Sequence, residues 1–98
     1  MKDEYAERIK ELIENRYGHL FYVINYPKKY EAGSYLWVHR LSDNEMNIII
    51  HGGEYEPFEL KFRRTNEDEP IVKQFDTLKE MEEYIKKDLL DEIMVYEI

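Results

Sequence analysis

The chain of 98 residues contains no cysteine, only four glycines and three prolines, and no long apolar run. Without cysteine it forms no disulfide and uses no thiol chemistry, which fits a reducing compartment, so we expect a cytoplasmic protein. No apolar stretch reaches the roughly 18 residues that a membrane span needs, and residues 1–14 lack the apolar core of a signal peptide. No linker, repeat or low-complexity tract divides the chain, and we expect residues 1–98 to form a single globular domain.

Basic side chains are also scarce, because 14 lysines and arginines stand against 22 acidic residues and give a formal net charge of −8. This charge repels phosphate backbones, so direct nucleic-acid binding is not expected. The acidic excess lies in residues 50–98, and its ordinary interpretation is a solvated surface. An alternative is an acidic mimic of nucleic acid that inhibits a DNA- or RNA-binding protein, provided that lysines do not interrupt the acidic surface. The residues of that surface would be Glu67, Asp68, Glu69, Glu80, Glu83, Asp88, Asp91 and Glu92.

Helical periodicity is found at the two ends of the chain. Apolar residues three and four apart predict a helix over residues 3–17, which Gly18 would end in the left-handed conformation. Thr77 opens a Thr-x-x-Glu capping box in front of a second apolar stripe. That stripe predicts a helix that continues to about residue 94, although residues 93–98 also suit a short strand.

Strand patterns fill the middle of the chain, and the first three are apolar on both faces. Their loops are too short for crossover helices, so neighbouring strands should run antiparallel. The predicted fold class is therefore α+β: a helix, a five-stranded antiparallel β-meander and a helix, with both helices on one face of the sheet. The predicted strands are 19–26, 34–41, 46–51, 58–64 and 71–75.

A tight, even-numbered hairpin between the second and third strands would direct Trp37, His39, Ile48 and Ile50 toward the helices, whereas an odd-numbered loop would mix the faces. Two helices cover about one face of such a sheet, so the other face should keep exposed apolar side chains. These residues are either scattered surface positions, covered by one of the helices, or a binding surface. The candidate partner-binding residues on that face and in tyrosine-bearing loops are Leu36, Val38, Arg40, Asn47, Ile49, His51, Lys61, Arg63, Tyr30 and Tyr55.

Catalytic and metal-binding patterns are weak. The three histidines, His19, His39 and His51, fall in different strands, which argues against a shared metal site. The Gly52-Gly53 pair lacks the surrounding residues of a phosphate-binding loop, and neither serine has an evident base. We therefore assign no catalytic residue, metal, cofactor or small-molecule substrate.

The sequence favours a non-catalytic protein–protein interaction domain, such as a regulator, an inhibitor or an immunity-type protein. Its expected partner is another protein or a second copy of the chain, which would make a dimer, and no membrane contact is expected. The nucleic-acid mimic is the first alternative, and a small enzyme of unknown type is the second.

Overall fold

The computed structural model describes residues 2–27, 34–44, 46–53, 56–62 and 69–89. Five antiparallel strands form one sheet in the order β1-β2-β3-β4-β5, with a helix before and a helix after it, so the predicted α+β meander is confirmed. Neither of the two described helices is long and apolar enough to cross a membrane. The elements are α1 (Asp3–Tyr17), β1 (Phe21–Pro27), β2 (Ser34–Arg40), β3 (Met46–His51), β4 (Phe58–Phe62), β5 (Ile71–Phe75) and α2 (Leu78–Lys87).

Helix α1 has the predicted bounds, but the residue that follows it has a different backbone conformation from the predicted one. Gly18 has φ −62° and ψ −15°, so the predicted left-handed ending is wrong. A glycine is nevertheless suited to this position, because a Cβ there would collide with the carbonyl oxygen of Glu14. The chain therefore leaves α1 in a right-handed turn, in which the amide of Leu20 donates to the carbonyl oxygen of Tyr17 at 2.9 Å.

Helix α2 starts at the predicted capping box. The hydroxyl oxygen of Thr77 accepts a hydrogen bond from the amide of Glu80 at 3.2 Å, and the Glu80 carboxylate accepts one from the amide of Asp76 at 3.2 Å. Two otherwise unpaired amides at the helix start are thus satisfied. The described helix ends at Lys87, and the predicted continuation from residue 90 to about residue 94 lies outside the described residues.

Both helices lie on the same face of the sheet. Their apolar residues share one buried core with the inward-facing residues of the strands, and α1 also contacts α2. Burial of these side chains is the main favourable contribution to folding. The core residues are Ala6, Ile9, Ile13, Tyr17, Phe21, Val23, Leu36, Val38, Ile48, Ile50, Phe58, Leu60, Phe62, Met81, Ile85 and Leu89.

An ion pair also joins the two helices. The Arg8 guanidinium donates to Glu82 Oε2 at 3.1 Å and also contacts Oε1. Glu82 is only 7 % exposed. It lies four residues after Leu78 and three before Ile85, on the apolar side of α2. A buried carboxylate needs a compensating charge, which Arg8 supplies from the neighbouring helix.

We expect Tyr17→Phe to lower the free energy of unfolding by about 1 kcal/mol, because it removes one buried hydrogen bond. The Tyr17 hydroxyl donates to the carbonyl oxygen of Ile85 at 2.6 Å and thereby ties the end of α1 to α2. Urea denaturation measures the change. Tyr22→Phe is the matched control, since the Tyr22 hydroxyl makes only an exposed hydrogen bond of 3.3 Å. An equal loss in both variants would contradict the helix-joining role of Tyr17.

Strand β2 is out of the predicted register by one residue. Leu36 pairs with Ile50 and Val38 with Ile48, so both Leu36 and Val38 face the helices. Trp37 pairs with Ile49 and points to the opposite face. The predicted orientation of β2 is therefore wrong, since a slip of one residue exchanges the two faces of a strand. The predicted inward orientation of Ile48 and Ile50 is confirmed.

The slip arises at the start of β3, next to the turn that connects it to β2. The carbonyl oxygen of Arg40 accepts from the amide of Asn44 at 2.8 Å, and Asn44 has a positive φ of 59°. The register then shifts, because His39 pairs with Met46 and Asn47 is skipped. Such a bulge adds one residue to one strand, which the even-numbered hairpin did not include.

Candidate interaction surface

One side of the sheet carries no described helix, and we call its outward-pointing residues the open face. Residues that pair across neighbouring strands share a face, so the register defines this set. The open face comprises Tyr22, Ile24 and Tyr26 of β1, Tyr35, Trp37 and His39 of β2, Met46, Ile49 and His51 of β3, Glu59 and Lys61 of β4, and Val72 and Gln74 of β5.

The exposed large apolar side chains of the described residues are concentrated on the open face. Tyr26 is 43 % exposed, Trp37 36 %, Met46 41 % and Val72 47 %. The fifth such residue, Leu41, lies in the turn after β2. Single exposed apolar residues are ordinary on protein surfaces, but their concentration on one face is typical of an interaction site.

Ring contacts across strands hold the aromatic part of the open face in place. The Tyr26 and Trp37 rings are 4.7 Å apart between centroids and tilted by 51°. Tyr22 stacks on His39 at 5.1 Å. Because these side chains already support one another in the free protein, a partner that binds them has less rotamer freedom to immobilise.

Asn44 fixes one corner of the open face. Its side-chain oxygen accepts from the Tyr22 hydroxyl at 3.3 Å, and its carbonyl oxygen lies 3.1 Å from His39 Nδ1. A carbonyl oxygen only accepts, so His39 Nδ1 carries the donated proton. The turn between β2 and β3 therefore also orients the Tyr22–His39 stack.

A polar row crosses the opposite end of the open face. His51 Nε2 lies 3.1 Å from Glu59 Oε1, and the Gln74 amide donates to Glu59 Oε2 at 3.1 Å. The hydrogen bond from Gln74, with a further contribution from His51, holds the pKa of the Glu59 carboxyl below its ordinary value despite the opposing effect of burial. Tyr35 meets the His51 ring edge-on at 5.1 Å between centroids. Glu59 is thus an ionised group at a defined position at the margin of the apolar surface.

Three predicted partner-binding residues lie on the other side of the sheet. Leu36 and Val38 are completely buried beneath the helices. Arg40 pairs with Phe21 and shares its face, and its side chain forms an ion pair of 3.5 Å with Asp43. The assignment of these three residues to the open face is wrong, because it depended on the even-numbered hairpin.

Three other predicted residues, Ile49, His51 and Lys61, do lie on the open face. The register brings them together with the aromatic residues of β1 and β2. Outside the described residues lie Tyr30, Tyr55, Arg63 and the side chain of Asn47.

The aromatic residues of the open face were missing from the predicted set, although β2 carries a signal for them. Its sequence alternates purely aliphatic residues, Leu36 and Val38, with the amphipathic Tyr35, Trp37 and His39. Side chains with a polar atom prefer a position where that atom reaches water, and branched aliphatic ones do not. This alternation indicates the observed orientation of β2 independently of hairpin geometry.

The alternative acidic surface is interrupted by lysines where it can be described. Lys87 Nζ lies 3.0 Å from Glu83 Oε2, and its hydrogen bond and charge lower the pKa of the Glu83 carboxyl, with smaller effects from Lys86 and Lys79. This mixture of charges counts against a continuous phosphate-like surface. Glu69, Glu80 and Asp88 are exposed. The remaining members of that set lie outside the described residues: Glu67, Asp68, Asp91 and Glu92.

A shallow groove lies between β5 and α2. Phe75 and Tyr84 form its apolar part, with ring centroids 5.4 Å apart, and Lys79, Glu83 and Lys87 line its rim. Among the described residues, no group of three or more histidine, aspartate or glutamate side chains is arranged to hold a metal ion.

Comparison with known proteins does not supply a function. No protein-family model matches the chain, and searches of curated proteins and of solved structures give no match. The role of the open face therefore has to be inferred from the chemistry of its own side chains.

Proposed function

We propose that the protein is a non-catalytic interaction domain, of the regulator, inhibitor or immunity type, that binds a protein partner through its open face. The observation that carries the proposal is the concentration of exposed Tyr26, Trp37, Met46 and Val72 on one side of the sheet. Tyrosine, tryptophan and methionine are enriched in the cores of protein interfaces, whereas charged residues are depleted there.

The charge distribution supports the same proposal. Only Glu59 and Lys61 of the thirteen open-face residues are acidic or basic at neutral pH, whereas charged residues make up 37 % of the chain. An apolar surface with a polar row at its margin matches the usual anatomy of an interface. The absence of cysteine supports placing this interaction in the reducing cytoplasm.

Site-specific photo-crosslinking in the cells that produce the protein tests this proposal. We expect Trp37→Bpa and Val72→Bpa, where Bpa is p-benzoylphenylalanine, to form covalent protein adducts on irradiation. Both positions are exposed on the open face, and the aromatic replacement keeps their apolar character. The adducts are resolved by electrophoresis and identified by mass spectrometry.

Lys87→Bpa is the control, because Lys87 is more exposed than Trp37 and Val72 but lies on α2, on the opposite side of the molecule. We expect no comparable adduct from that position. Equal adducts from all three positions, or none from the open face, would contradict the proposal.

A further inference from the structure

We propose that the partner of the open face is a second copy of the chain, packed sheet against sheet around a two-fold axis that runs along β3. The proposal rests on the proposed function and specifies its partner. It follows from the charge of the face, its area and the register of its side chains.

The charge of the face permits self-association of an acidic protein. The chain has a formal net charge of −8, but among the described residues of the open face Glu59 is the single carboxylate and Lys61 the single ammonium, so the charges balance there. Two copies therefore meet through surfaces that do not repel, while the remaining negative charge stays on the outside. A basic partner, in contrast, would find little negative charge on this face to recognise.

The area of the face reaches the lower limit of a specific interface. Five strands spaced by about 4.8 Å, with about six residues each, make a surface of roughly 24 Å by 20 Å. Two such faces bury on the order of 1,000 Å² in total, which is the size of a weak but specific interface. We therefore expect a dimer that dissociates in the micromolar range.

Rotation about an axis along β3 places β2 over the partner's β4 and β1 over the partner's β5. This rotation leaves the position of each residue along the strand direction unchanged. One cross-strand row therefore faces the same row of the partner in reverse order. The row consists of Ile24, Trp37, Ile49, Lys61 and Val72. Trp37 then lies opposite the partner's Lys61, a cation–π pair that forms twice. Ile24 lies opposite the partner's Val72, and Ile49 meets the partner's Ile49 on the axis.

The neighbouring row is complementary in the same way. It runs through Tyr26, Tyr35, His51, Glu59 and Gln74. The rotation brings the Tyr35 hydroxyl toward the partner's Glu59, whose ionised carboxylate is a strong acceptor. Both charged side chains of the face thus meet an aromatic group with suitable chemistry.

The perpendicular two-fold axis in the plane of the sheet is less favourable. It would place each strand over its own copy, and where it crosses the row of Ile49 and Lys61, Lys61 faces the partner's Lys61. Like charges directly opposite each other are destabilising. An axis between that row and the row of Glu59 would avoid this repulsion, and it would bring two Val72 positions close together, which the linkage of introduced cysteines detects.

Sedimentation equilibrium tests the association. Over a range from about 1 to about 500 µM, which brackets the expected micromolar dissociation constant, we expect the mass to rise from 12.1 kDa toward twice that value. Trp37→Ala should raise the dissociation constant at least tenfold, since buried tryptophans commonly dominate interface energy. Lys87→Ala should leave it unchanged. A strict monomer throughout this range would overturn the dimer.

Single introduced cysteines test the axis, because the chain has no cysteine of its own. We expect a short bis-maleimide to join two copies of the Ile49→Cys variant. It should not join two copies of the Val72→Cys variant, since the two Val72 positions are about 19 Å apart in the direction across the strands. A mixture of Ile24→Cys and Val72→Cys should form the mixed adduct. Self-linkage of Val72→Cys without the mixed adduct would overturn this axis.

Different results would overturn the proposed interaction domain and the proposed dimer. Photo-adducts at Trp37 and Val72 that contain a different protein, together with a monomeric mass, would overturn the dimer and support the proposed interaction domain. A concentration-dependent dimer whose mass is insensitive to Trp37→Ala would overturn the open face as its contact surface.

Discussion

We expect Leu36→Ala to lower the free energy of unfolding by about 3 kcal/mol, within the range of leucine truncations in well-packed cores. Leu36 is completely buried between the sheet and α1. Its truncation removes apolar surface from the core and leaves a cavity that the rigid sheet cannot close. A small domain has only about 5–15 kcal/mol of stability, so this single change removes a large part of it.

Trp37→Ala is the matched control, because it changes the adjacent residue on the same strand. We expect it to lower the free energy of unfolding by at most about 1 kcal/mol despite the larger truncation, since Trp37 is exposed. Chemical denaturation of both variants, measured at a concentration where the protein is monomeric, gives the comparison. If Trp37→Ala lowered the free energy of unfolding more than Leu36→Ala, Trp37 and not Leu36 would face the core. That result would contradict the strand register that defines the open face.

The second large effect is expected from Gly52→Ala, which should cost about 3 kcal/mol or more through backbone strain and steric overlap. Gly52 has φ +97°, a conformation that residues with a side chain rarely adopt, and an added Cβ would collide with the carbonyl oxygen of Pro57. Neither group can move without changing the connection from β3 to β4. The loss is measured by thermal and urea denaturation.

Gly53→Ala provides an internal comparison. Gly53 has a similar φ of +95°, but an added Cβ would meet the side chain of Phe58 instead of backbone. A ring can shift more easily than a carbonyl group, although Phe58 belongs to the core. We therefore expect Gly53→Ala to be clearly destabilising but less so than Gly52→Ala. Two near-neutral variants would contradict the described geometry of this connection.

Local sequence signals predicted most of the fold. Thr77 and Glu80 marked the start of α2, and the strand predicted over 58–64 contains β4. These features depend on neighbouring residues in the chain, so the pattern contains the information that determines them.

The orientation of β2, and with it the set of residues on the open face, depended on how neighbouring strands pair. The bulge that skips Asn47 is a property of paired strands and has no clear mark in either strand alone. The pairing of Glu82 with Arg8 likewise joins residues that are 74 positions apart in the chain. Because one skipped residue exchanges the faces of β2, a small error in the connection replaced Trp37 with Leu36 and Val38 among the candidate site residues.

The Arg8–Glu82 and Tyr17–Ile85 contacts have a consequence for the order of folding. The five strands pair only with their neighbours in sequence, but the two polar contacts described between α1 and α2 span 74 and 68 residues. Long-range contacts form late because the intervening chain must first be ordered. During synthesis α1 can pack on β1 and β2 as soon as these strands form, but the inner side of the sheet beside β5 stays exposed until α2 has left the ribosome. The open face stays exposed in the native molecule as well.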